Sequence, residues 1–195
     1  ESDPLETVLE ESEKMIYEIT TQGGSSDRLI GFSELIEETW SRIEKMSEKE
    51  GGMRGTPSGF KDLDHKLSGF QPSDLIILAA RPSVGKTSLA LDFARNAAVK
   101  HGIPVAIFSL EMSKEQLVDR MLSAQSQVDS WKLRTAKLSL DEEFERLQQG
   151  MHELMKAPIF VDDKAANTIL NMRSTLRRLT TDKPIGLIIV DYLQL

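Results

Sequence analysis

Apolar side chains near the start of the sequence recur at helical spacing, at Leu5, Val8, Leu9, Ile16 and Ile19. That period predicts a helix, with Asp3 able to cap it and Pro4 suited to its first position. Gly23-Gly24-Ser25-Ser26 then interrupts the pattern as a short flexible joint. A second helix is predicted from Ser33, with Glu34 and Glu37 in its first turn and Ile36, Trp40 and Ile43 along one face. A lone amphipathic helix has no core of its own. Trp40 must therefore pack on the rest of the chain or on another subunit.

Past Gly51-Gly52 short apolar runs alternate with helical patterns. Leu75–Ala80, Val105–Leu110, Ile159–Val161 (just after Pro158) and Ile185–Val190 read as strands. Helices are predicted over Thr87–Lys100, from about Ser113 to Gln127, from about Asp141 to Lys156, and over Thr168–Thr180. Strands alternating with helices imply right-handed crossovers and an α/β fold with a parallel sheet covered by helices. Two units follow: a helical leader and linker helix over 1–50 and an α/β body over 51–195. No internal repeat or low-complexity tract is present.

Composition adds limits. A chain of 195 residues, 39% apolar and 28% charged, suits one domain with an appendage and excludes wholesale disorder. The absence of cysteine excludes disulfides and thiolate metal sites, and suits a reducing cytosol. Apolar runs such as Leu75–Ala80 fall far short of the roughly 20 residues that span a bilayer, and no signal-like segment opens the sequence, so a soluble intracellular protein is expected. The net charge of −7 is unevenly placed: residues 1–50 carry 14 acidic and 5 basic side chains, the remainder 17 and 19. That acidity argues against nonspecific nucleic-acid binding by the leader and says little about the body.

The sharpest chemical signal is Ala80-Arg81-Pro82-Ser83-Val84-Gly85-Lys86-Thr87, continued by Ser88, between a predicted strand and a predicted helix. Backbone N–H groups at such a helix start point at an anion, and the helix dipole favours it. Gly85 permits close approach to phosphates, Lys86 brings a cation to them, and the Thr87 hydroxyl can ligate Mg²⁺. Residues 80–88 are thus candidate nucleotide-binding positions, with Ala80 standing where a glycine is usual. Asp191, ending the strand Ile185–Val190, can hold Mg²⁺ in the ligand crevice, or simply cap the strand end. Glu111 follows the strand Val105–Leu110. It can activate an attacking water, or sit in a first helical turn where the dipole favours it. Gln194 could sense a γ-phosphate or be a surface glutamine. His65, His101 and His152 lack ligand spacing, which argues against zinc. Arg173, Arg177 and Arg178 form a basic stripe that reads either as a solvated face or as a contact for DNA or a neighbouring subunit. The methionines read as core filler.

Five segments together carry a resemblance: Gly59-Phe60 with Leu63-Asp64; Asp74-Leu75-Ile76-Ile77; Ala79 through Thr87; Phe108-Ser109-Leu110-Glu111-Met112-Ser113; and Val190-Asp191-Tyr192-Leu193-Gln194-Leu195. From about residue 54 onward the sequence resembles the DnaB family of bacterial replicative DNA helicases, and residues 1–50 more loosely resemble that family's N-terminal tail and linker helix. In that family the Ala-Arg-Pro-Ser loop is the rule, which accounts for Ala80. The resemblance implies a RecA-like motor in a homo-hexameric ring, driven by ATP and Mg²⁺ 5′ to 3′ along single-stranded DNA. It implies Glu111 as catalytic base, Lys86 in transition-state stabilisation and Gln194 as a coupling residue. It further implies primase and a helicase loader as partners, and a cytoplasmic place at the nucleoid. The family's DNA-binding loops and arginine finger belong beyond Leu195, so these residues alone are expected to turn over little ATP. A RecA/RadA-type recombination ATPase and a nucleotide-binding module without turnover remain alternatives.

Overall fold

The computed structural model describes residues 31–47, 54–138, 141–165 and 167–192. The first predicted helix, the Gly23–Ser26 joint, Gly51-Gly52 and Gln194 lie outside the described residues. The chain divides into two units, 1–50 and 51–195. The first contributes helix α1 (Phe32–Ser47), which begins one residue before the expected Ser33. Ile36, Trp40 and Ile43 are half or more exposed along it, and the Trp40 indole donates to Glu44 one turn on at 3.0 Å.

The second unit runs α2 (Lys61–Leu67), α3 (Lys86–Arg95), β1 (Val105–Ser109), α4 (Lys114–Ser126), α5 (Ser130–Thr135), α6 (Asp141–Lys156), β2 (Ile159–Asp162), α7 (Ile169–Asp182) and β3 (Leu187–Asp191). Its three strands are parallel in the order β2-β1-β3. β1, the central strand, is buried throughout, and side chains on its two faces alternate between two cores. Val105 and Ile107 meet Leu91, Ala94 and Ala98 of the α3 arm and Leu117 and Met121 of α4. Ala106 and Phe108 meet Met172 of α7 on the opposite face.

The local sequence explains most helix limits. Ser113 and Gln116 form a reciprocal capping box that starts α4, and Thr168 caps α7 by accepting from the Asn171 N–H. The long helix expected over Thr87–Lys100 is α3 followed by one π-helical turn, Asn96–Lys100. That turn brings the Asn96 amide to the Ser58 carbonyl at 3.1 Å. α2 and α5 were not anticipated, because elements of six or seven residues are too short to display a period. α5 is announced instead by Asp129, which accepts from the Trp131 N–H at 2.7 Å.

One expected element is corrected. Leu75–Ala80 joins no strand of the sheet. A strand requires a ladder partner, and the segment pairs with neither outer edge of the sheet, that of β2 or that of β3. The segment and β3 both line a cavity of about 430 Å³, so space rather than a ladder lies between them. Its apolar side chains stay in the open, with Leu75 85% and Ile77 73% exposed.

The loop before α2 depends on a single carboxylate. Asp64 is buried and accepts from the Ser58 and Gly59 N–H groups at 2.8 and 3.0 Å. Gly59 has a φ of 84° and its α-hydrogen abuts the Asn96 side chain, so no Cβ fits there. Replacing Asp64 by alanine strands both donors. Asp64→Ala is expected to lower unfolding stability by about 1–3 kcal/mol, read by denaturant titration, with Asp64→Asn intermediate because one acceptor oxygen survives.

Candidate functional site

The site forms where the carboxyl ends of the parallel strands meet the start of α3, the crevice in which open α/β sheets bind ligands. Residues 81–85 make the turn into that helix. Gly85 takes a φ of 102° and Ser83 one of 65°, whereas Ala80 is not in the left-handed region. The conformation that favours glycine therefore falls at Gly85, and an alanine at position 80 carries no backbone strain. Nothing lies within 4 Å of the point a Cβ would occupy on Gly85, so the space over the loop is open. α3 has neither a side-chain cap nor an acidic residue in its first turn. Its leading N–H groups face that space as an anion-binding edge.

Asp191 closes the site from the sheet side. It ends β3 and is buried at 7% exposure. Its Oδ1 lies 3.1 Å from the Lys86 Nζ, and its Oδ2 accepts from the Thr87 hydroxyl at 2.6 Å. The structure thus brings Lys86, Thr87 and Asp191 together. Two hard oxygen ligands at the mouth of a phosphate-binding turn fit Mg²⁺, which commonly takes one or two protein oxygens and completes its shell with phosphates and water. Among the described residues no cluster of three or more His, Asp or Glu offers a larger metal cage.

Glu111 is exposed at the turn between β1 and α4. It borders a cavity of about 530 Å³ together with Ser88, Gln116 and Arg120, on the same side of the sheet as α3. Its turn is tied to the Asp191 strand, since the Leu110 N–H donates to the Asp191 carbonyl at 2.8 Å. Two neighbours escaped the sequence reading. The Lys86 ammonium sits 4.2 Å from the centre of the Tyr192 ring, a cation–π contact whose only sequence signal is adjacency to Asp191. Arg120 reaches the Ser88 hydroxyl at 3.4 Å from a different helix, a meeting without any local signal.

The other candidates lie elsewhere. Arg173, Arg177 and Arg178 are exposed on α7, which covers the opposite face of the sheet from α3. His65 and His152 are exposed on α2 and α6, and His101 is exposed just past the π-helical turn.

A parallel α/β sheet, a glycine-lysine-threonine turn opening a helix, and a strand-end aspartate on that lysine and threonine define a P-loop nucleotide-binding domain. The comparisons narrow this. Residues 55–195 match the model of the DnaB-like helicase C terminal domain, and the chain belongs to that family. It is 42% identical over 193 residues to the replicative DNA helicase DnaB of Geobacillus stearothermophilus, covering 99% of this chain and 42% of that protein. It is 44% identical over 196 residues to the DnaB of Synechocystis, covering 100% of this chain and 22% of that protein. The chain therefore spans less than half the length of these relatives. Among solved structures it is similar to an ATPase domain, with a TM-score of 0.77 and 28% identity over 86% of this chain and 58% of that one. A DnaB-like replicative helicase studied with its primase interactions gives a TM-score of 0.70 and 28% identity, over 82% of this chain and 40% of that one. These likenesses agree with the α/β, RecA-like fold expected from the sequence.

Lys86 stands at the start of α3 beside the open turn, with its Nζ on Asp191. Lys86→Ala is expected to weaken ATP binding at least about tenfold, from loss of a close charge contact. Calorimetric titration with ATP checks this, and undiminished affinity would remove the loop from the site.

Proposed function

We propose that this chain is the ATP-hydrolysing motor of a replicative DNA helicase, a homo-hexameric ring that moves 5′ to 3′ along single-stranded DNA. The observation that carries the reading is Asp191 holding both Lys86 and Thr87 at the open turn before α3. The identity to relatives named as replicative helicases supports it. Primase is a partner on this reading, by analogy with the similar helicase studied with primase, and a helicase loader is another. The setting is the cytoplasm, at the nucleoid. No described helix is long and apolar enough to cross a membrane.

On this reading the residues share the chemistry between them. Phosphate oxygens lie against the N–H groups that open α3, and Lys86 turns from Asp191 to the β and γ phosphates. Thr87 and Asp191 would hold Mg²⁺, which supplies charge neutralisation across the phosphates. Glu111 accepts a proton from the attacking water as it approaches the γ-phosphate, and Gln194 couples the phosphate state to the rest of the ring. Phosphoryl transfer asks the protein for positioning and charge stabilisation rather than covalent chemistry.

The tests need a ring in which a neighbouring subunit can complete the site. A suitable protein is a chimera in which this chain replaces the matching span of the Geobacillus stearothermophilus relative. In that chimera Glu111→Gln is expected to keep ATP binding within about twofold while lowering turnover at least about a hundredfold, because only water activation is lost. A variant that turns over normally would return Glu111 to the role of a helix-start glutamate.

On the same reading the Ile36-Trp40-Ile43 face of α1 docks on a neighbouring subunit. Burying one large aromatic contributes roughly 2 kcal/mol or more, and a buried unpaired charge opposes docking further. Trp40→Asp should therefore dissociate the ring while leaving the melting of the 51–195 unit unchanged. Sedimentation showing intact hexamers of the variant would refute this docking.

A further inference from the structure

Glu111 sits in the middle of a turn whose backbone is tied on both sides. Before it, the Leu110 N–H donates to the Asp191 carbonyl. The fully buried Ser109 hydroxyl spans the turn, accepting from the Met112 N–H at 3.1 Å and donating to the Met112 carbonyl at 2.7 Å. After it, Ser113 and Gln116 cap the start of α4. These ties draw on β1, β3 and α4. A further one comes from β2. Asp163, the residue after that strand, accepts a hydrogen bond through Oδ2 from the Lys114 N–H at 3.1 Å.

The bond has two unusual features. It crosses 49 positions of sequence to reach the first residue of α4, three past Glu111. It also satisfies an N–H that the helix cannot satisfy itself, since the Ser113 hydroxyl is engaged with the Gln116 N–H. That backbone donor, more than any neighbouring cation, holds the Asp163 carboxyl below its ordinary pKa. Asp163 belongs to neither hydrophobic core and is only half-buried. Its bond is not what folds the sheet; it anchors the far end of the Glu111 turn.

We propose that Asp163 is a positioning residue for Glu111: by holding the Lys114 N–H it fixes the 109–114 turn, and with it the direction in which the Glu111 carboxylate meets the attacking water. This rests on the reading of Glu111 as the water-activating base. A carboxylate anchored at one end only samples more orientations, and small misplacements of a reacting group are costly to rate without changing how tightly substrate binds.

The test uses the chimera described above, with steady-state hydrolysis, binding of a non-hydrolysable ATP analogue, and single-turnover hydrolysis for slow variants. Asp163→Ala should lower turnover at saturating ATP about tenfold while analogue affinity stays within about twofold. Asp163→Asn, whose amide oxygen still accepts from the Lys114 N–H, should recover turnover to within about threefold of wild type. Added to Glu111→Gln, Asp163→Ala should cost nothing more, because the group it aims is gone. Unchanged turnover in Asp163→Ala overturns the proposal. So does an equal loss with and without Glu111→Gln, or a loss matched by weaker analogue binding and lower thermal stability that Asp163→Asn does not relieve. Normal turnover in Glu111→Gln would instead remove the reading of Glu111 and this proposal together. A slow Glu111→Gln beside an unaffected Asp163→Ala removes only the proposal.

Discussion

The carboxylate of Asp191 joins two pieces of chain 104 positions apart. One oxygen meets the Lys86 ammonium and the other the Thr87 hydroxyl, so the end of β3 is fastened to the first turn of α3. The residue is buried, and a buried carboxylate is tolerated only when charged and hydrogen-bonding partners offset its lost hydration. Its backbone carries a second tie, from its carbonyl to the Leu110 N–H beside Glu111. The turn into α3, the two oxygens proposed to hold Mg²⁺ and the turn of the proposed base are therefore referred to one residue.

Strand periodicity makes that arrangement obligatory. Leu187 and Ile189 pack into the core beneath α3, and Asp191, two residues further on, falls on the same face. A slip of one residue in the β1–β3 register would turn Asp191 toward α7 and expose Leu187 and Ile189. The apolar pairing of Val105 with Leu187 and of Ile107 with Ile189 thus fixes where the carboxylate stands. Packing energy, spread over the strand, determines the position of a polar group at its end.

This explains which parts of the site were legible in the sequence. The turn at 80–87 is read from adjacent residues, and Asp191 from its place after an apolar run. Both signals are local, and both residues meet in the structure. The strand expected at Leu75–Ala80 is a different matter, because a strand is completed by a neighbour that may lie anywhere in the chain. Its apolar run is real, yet within the described residues no ladder receives it. The contacts of Asp163 with Lys114 and of Lys86 with Tyr192 were illegible for a related reason. Each joins the ends of two elements, where no period exists to be read.

The phosphate loop keeps its shape although the segment before it joins no sheet, and the reason lies on the helix side. α3 is anchored by Leu91 and Ala94 in the core beneath β1, and its first turn by the two bonds to Asp191. Gly85 supplies the left-handed step that lets the chain enter that turn. A strand beside Leu75–Ala80 would stiffen the approach to the loop and cover its exposed apolar side chains. It would not be needed to aim Lys86 or Thr87. The anion-binding edge is therefore a property of the α3–β3 junction, set by core packing on one side and a shared carboxylate on the other.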